Sequence, residues 1–146
     1  MTTTTHIAAL DRSVDKANIW LRDTAAELGV DDRHAAYAAL RSVLHALRDR
    51  LPVDEAAQLA AQLPLLIRGV YYEGWNPSAT PASYSRADDL YERVVAGGGC
   101  HGATEASFAV AAVMRVLRVH VSAGELDDVL GALPAGVRAA FEQSPA

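Results

Sequence analysis

Leu63-Pro64-Leu65-Leu66-Ile67-Arg68-Gly69-Val70-Tyr71 is echoed seventy residues later by Leu133-Pro134-Ala135-Gly136-Val137-Arg138-Ala139-Ala140-Phe141. Both copies keep a Leu-Pro pair, an arginine four residues after the proline and an aromatic residue three further on. Widening the comparison, residues 17–72 align with 87–142 without a gap, with 12 of 56 positions identical. Several identities are alanine on alanine, so the repeated pattern of chemistry carries more weight. Ala36, Leu40, Val43, Leu44, Leu47 and Leu51 recur as Ala106, Val110, Val113, Met114, Leu117 and Val121. Steps of three and four residues put each set on one helix face. Glu55 maps to Glu125 and Arg48 to Arg118. Two copies are too few for a solenoid. The pattern predicts an all-α single domain over 1–146, with eight helices as two tandem four-helix repeats in a pseudo-twofold relation and no sheet. The first repeat is expected over 11–73, a linker over 74–83 and the second repeat over 84–142, after a disordered tail at 1–8.

Helix signals fill in this frame. Asp11 or Ser13 should cap the first helix, with Val14, Ala17, Leu21 and Leu28 on one face, Trp20 beside it and Gly29 as the stop. Asp31 or Asp32 opens a second helix to about Arg50, which Leu51-Pro52 ends. Asp54 and Glu55 suit the first turn of a short third helix, and Pro64 starts a fourth. Gly74, Pro77 and Pro81, with Asn76, Ser78 and Thr80, are turn chemistry. Ser85 then caps a fifth helix that ends at Gly97-Gly98-Gly99, and Thr104 caps a long sixth. Ser122-Ala123-Gly124-Glu125 is a capping-box pattern for the seventh, and Pro134 opens the eighth.

Composition bounds the function. A chain of 146 residues with 51% hydrophobic content buries a real core without staples. The net charge of −5 argues against nucleic acid. No apolar run reaches the ~18 residues of a membrane span, so no membrane partner is expected. The start, Met1 to His6, lacks the basic and apolar regions of a secretory signal. The single cysteine, Cys100, cannot form an internal disulfide and fits a cytoplasmic setting.

Leu51 to Pro77 resembles the domain-of-unknown-function family 2267 (DUF2267), most specifically in Arg68-Gly69-Val70-Tyr71-Tyr72-Glu73-Gly74-Trp75. Trp20-Leu21 and the run Ala39–Leu51 are similar to it as well. The resemblance implies a small helical protein, from bacteria, without an assigned activity or cofactor, and it transfers no catalytic residues.

Positions shared by both halves serve the fold; positions distinctive of one half are freer to serve function. Tyr71, matched by Phe141, is expected in the core. Tyr72, Glu73 and Trp75 have no second copy and are interaction candidates, although Trp75 can equally seal the gap between the halves. Arg68 and Arg138 read either as an anion clamp or as ion pairs and caps on a neighbouring helix end. Tyr37, Arg41, His45 and Arg48 share a helix face; Arg41, His45, Arg48 and Arg68 are the anion candidates, with a solvated arginine face as the alternative. Cys100-His101 lacks the four ligands zinc needs, so no metal or cofactor is expected. The glycine run lacks the Lys-Ser/Thr of a phosphate loop, and no Ser/His/Asp context suggests catalysis. The chain is therefore expected to be a non-enzymatic helical interaction module, acting through an unknown protein partner or as a homodimer. The alternative is a small anionic-ligand binder, or an enzyme of unrecognised type, using the groove between the repeats.

Overall fold

A computed structural model describes residues 4–143. Among them are eight α-helices and no strand: α1 (Ala8–Leu28), α2 (Arg33–Arg50), α3 (Val53–Ala61), α4 (Leu65–Tyr72), α5 (Ala87–Ala96), α6 (Ala103–His120), α7 (Ala123–Gly131) and α8 (Ala135–Glu142). A 3-10 turn over Pro77–Ala79 interrupts the linker. The bounds of α2, α3 and α4 plus seventy are those of α6, α7 and α8.

The apolar stripes of α2 and α6 make them the central pair. Leu40, Val43, Leu44, Val110 and Val113 are fully buried and Leu47 and Leu117 nearly so, and the two helices pack on each other. α1 lies across both, and so does α5. α4 packs on α2 and α1, while α8 packs on α6 and α5. The short helices α3 and α7 meet each other. Exchanging the two halves therefore leaves these packing relations unchanged.

Several ends differ from the sequence reading. α1 begins at Ala8, not near Asp11 or Ser13, with Ile7 at the N-cap position. Asp11 lies in the first turn, where its carboxylate accepts from the Thr5 amide at 2.8 Å and from the Thr4 and Thr5 hydroxyls. The tail expected over 1–8 is thus tied down at Thr4 and Thr5, and residues 1–3 lie outside the described part. Hydrogen bonds from these threonines hold the Asp11 carboxyl below its ordinary range. Arg86 and Gly102, not Ser85 and Thr104, precede α5 and α6. Pro64 and Pro134 occupy the N-cap positions of α4 and α8, just outside the first helical residue. Gly29 ends α1 in the left-handed region at φ 71°, as expected. Asp32 caps α2 by accepting from the His34 amide.

Trp20 is core, not a flank: it is 3% exposed and stacks on His120 with centroids 4.8 Å apart. The glycine run is a close-packing device as well as a connection. A β-carbon on Gly99 would lie 2.6 Å from the Ala38 carbonyl oxygen and 2.9 Å from the Ser42 hydroxyl. Backbone cannot yield as a side chain would, so Gly99→Ala is expected to destabilise the protein by about 1–3 kcal/mol in urea unfolding. Gly124→Ala meets nothing within 4 Å and should stay within about 0.5 kcal/mol of the parent.

Candidate functional site

Five of the residues singled out by sequence are spent on helix ends. Arg68 donates from Nε to the Ala60 carbonyl and from Nη2 to the Leu63 carbonyl, each at 2.9 Å. Arg138 repeats this at α7 and α8, donating to Leu130 at 2.8 Å and Leu133 at 2.9 Å. The last carbonyls of a helix have no partner within it, so each arginine satisfies the end of the preceding short helix. The other three converge on the end of α4. Arg41 pairs with Glu73 at 2.7 Å, His45 Nε2 donates to the Val70 carbonyl at 2.6 Å, and Arg48 Nη1 donates to the Tyr71 and Glu73 carbonyls at 2.8 and 2.7 Å. Arg48 is 4% exposed, whereas Tyr37 at the other end of the row is 40% exposed, so the row runs from solvent into the interior. Burial, with the charges of Arg48 and Arg41 outweighing the Val70 hydrogen bond, lowers the His45 pKa and favours the neutral ring. The hydrogen bond and charge of Arg41 hold Glu73 below the usual carboxylate range.

The aromatic segment packs inward. Tyr71 is fully buried and its hydroxyl donates to the Ala56 carbonyl at 2.9 Å. Tyr72 and Trp75 stack at 5.2 Å, and both are half-buried against the core. Cys100 is buried beside a recess of about 280 Å³ that Phe108 and Glu105 also line. Burial, with the Glu105 charge, pushes its thiol up to about 11, the opposite of what a reactive thiolate needs.

A pair of carboxyl groups meets where α3 touches α7. Glu55 and Glu125, the two equivalent residues seventy apart, each bury an oxygen that no donor reaches. Together with the exposed Asp128, their oxygens lie within 4.8 Å of one another. This is the one grouping of three acidic, histidine or cysteine side chains close enough to share a cation among the described residues. Loss of solvation, then the hydrogen bond and charge of Glu55, raise Glu125 to about 7.

A groove of about 570 Å³ lies elsewhere. Its size falls in the range of small-molecule sites. α1 supplies one wall: Arg12, Lys16 and Ile19 follow at steps of four and three and so share a face, with Ser13 beside them. The Leu63-Pro64 corner and Leu65 of α4 form the opposite wall, and Trp20 and His120 line it between them. Arg12 and Lys16 are exposed, and among the described residues neither meets a carboxylate within ion-pair distance. No acidic residue lines the groove. Behind it His120 Nε2 lies 2.7 Å from Asp23 Oδ2. Burial works against ionising Asp23, but hydrogen bonds from His120 and Arg22 prevail and lower its pKa. The Gln62 side chain, also at the groove, accepts from the Ser122 amide at 3.2 Å and so bridges to the start of α7. Of the anion candidates named from sequence only Arg68 borders this groove, with its guanidinium already occupied; Arg41, His45 and Arg48 lie at the end of α4. Arg12 and Lys16 carried no signal beyond their helical spacing.

These features define an all-helical protein with a cationic, partly apolar groove, in which no described helix is long and apolar enough to cross a membrane. The chain belongs to the DUF2267 family, described as "Uncharacterized conserved protein (DUF2267)", which matches residues 17–140. Trp20, Leu63, Arg68 and His120 fall inside the matched span, and Arg12 and Lys16 precede it. No curated protein matches the chain.

Proposed function

We propose that this protein is a non-enzymatic helical binding module whose binding face is the groove between α1, the Leu63-Pro64 corner and the end of α6. The observation that carries the reading is the pairing of Arg12 and Lys16, without acidic partners, above an apolar floor in a chain of net charge −5. Cations concentrated in one recess of an acidic protein attract a negatively charged occupant. The one acid–base pair at the groove, His120 with Asp23, has no hydroxyl or thiol hydrogen-bonded to it among the described residues. That supports binding over nucleophilic catalysis, which needs nucleophile and base within reach of each other. We place the module in the cytoplasm, where a lone buried thiol is at home. We also infer that the halves arose by tandem duplication, with a twofold relation between them; the matching helix bounds and the paired arginine caps support this.

Protein–protein contact or self-association through Tyr72, Glu73 and Trp75 has less in its favour. Tyr72 and Trp75 are committed to packing and Glu73 to Arg41, so this segment offers a partner little free chemistry. A thermal-shift panel of nucleotides, phosphosugars and organic acids tests the groove reading. At least one anion should raise the midpoint, and Ile19→Trp, which fills the groove from α1, should abolish the rise while leaving the unliganded midpoint within about 2 °C of the parent. A rise that persists in Ile19→Trp would place binding elsewhere.

A further inference from the structure

The groove is chemically two-sided, and this narrows its occupant. Arg12 and Lys16 stand one helical turn apart on the exposed part of α1. Below them, Ile19 is 37% exposed and Leu65 51% exposed, large apolar side chains facing a recess whose base is the ring of Trp20. A fully hydrated polyanion such as a nucleotide uses the cations but leaves that apolar surface wet. A neutral apolar molecule covers the surface and ignores the cations. Burying apolar area contributes about 25 cal/mol per Å², so an occupant that does both gains most.

We propose that the groove binds a single-chain anionic amphiphile as a monomer, its head between Arg12 and Lys16 and its chain along Ile19, Trp20 and Leu65. The inference rests on the groove being the binding face. The head is a carboxylate or a phosphate monoester, chemistries that two flexible cations recognise equally. The chain replaces water over the apolar wall, and the net charge of −5 over the whole protein repels anionic bilayers, so the monomer and not a membrane surface is the partner.

Isothermal titration of the full chain with octanoate, octyl phosphate, octanol and octyltrimethylammonium tests this directly. Octanoate or octyl phosphate should bind, and which of the two is tighter identifies the head. Arg12→Glu combined with Lys16→Glu should weaken that binding at least ten-fold at unchanged Tm. Octanol binding as tightly as the anions, with the charge reversals silent, overturns the anionic head and leaves the groove as a binding face. The same follows if all four amphiphiles fail while a hydrophilic anion of the thermal-shift panel binds and is lost in Ile19→Trp. Failure of every compound in both experiments overturns the module reading as well. Binding to vesicles containing anionic lipid, without binding of monomers, overturns the proposal in favour of a membrane surface.

Discussion

Arg48→Met should lower stability by about 3 kcal/mol, whereas Arg118→Met, at the matching position seventy residues on, should change it by less than about 0.5 kcal/mol. Arg48 is buried, pairs with Asp49 at 2.9 Å and donates to two carbonyls at the end of α4. Methionine keeps much of the volume but removes every donor. The Tyr71 carbonyl, at a buried bond, and the Glu73 carbonyl then lose their partner, and each orphaned buried acceptor costs about 1–3 kcal/mol. Arg118 is exposed and makes no hydrogen bond to another described residue. For a chain of this length the Arg48 variant should melt roughly 6–12 °C lower. Calorimetry of both variants checks the pair; equal effects would mean that the buried clasp on α4 contributes no more than a surface charge.

Raising the pH from 4.5 to 8 should weaken the parent protein at the α3–α7 contact, and Glu125→Gln should remove that dependence. The Glu125 carboxyl titrates near its ordinary 4.5 when unfolded and is pushed up to about 7 in the folded chain. The folded state therefore holds its proton more tightly. Its contribution to stability is fully present below about 4.5, declines as pH rises and is lost above about 7. Above that, the carboxylates of Glu55 and Glu125 face each other with Asp128 beside them. Solvent at the rim screens part of the repulsion, so Glu125→Gln should stabilise the protein at pH 8 by about 1–2 kcal/mol, roughly 3–6 °C in Tm. At pH 4.5 the variant and the parent should be nearly equal. Glu55→Gln should act in the same direction, because it removes the neighbouring charge that helps to raise Glu125. Chemical denaturation of the three proteins across this range tests the assignment. Parallel curves for parent and variants would show that Glu125 is not raised by its surroundings in the folded protein.

The helices were readable because their signals are local. Three- and four-residue steps, Asp32 before α2, Gly29 after α1 and the Leu-Pro pairs before α4 and α8 depend only on neighbours along the chain. Family membership was readable for the same reason, from the run Arg68–Trp75 and the segments around it. Starts were misplaced where a cap came from outside the expected window. The Thr4 and Thr5 bonds to Asp11 carried α1 back to Ala8, because the acid sits in the first turn and not before it.

The amino-acid order alone yielded an all-helical chain with long apolar helices at its centre. It could do so because helix formation and amphipathic burial follow spacing. Only the tertiary structure decided what each charged residue faces. Arg48 and Arg118 are the same residue on corresponding stripes, yet one is enclosed by the end of α4 and the other meets water. Glu55 and Glu125 were matched in sequence as first-turn acids, but only the meeting of α3 and α7 brought their carboxyl groups together. Arg12 and Lys16 looked like ordinary surface charges until the Leu63-Pro64 corner and His120 closed a groove beneath them. Solvation and Coulomb energies depend on distances through space between segments far apart in the chain, and packing alone sets those distances.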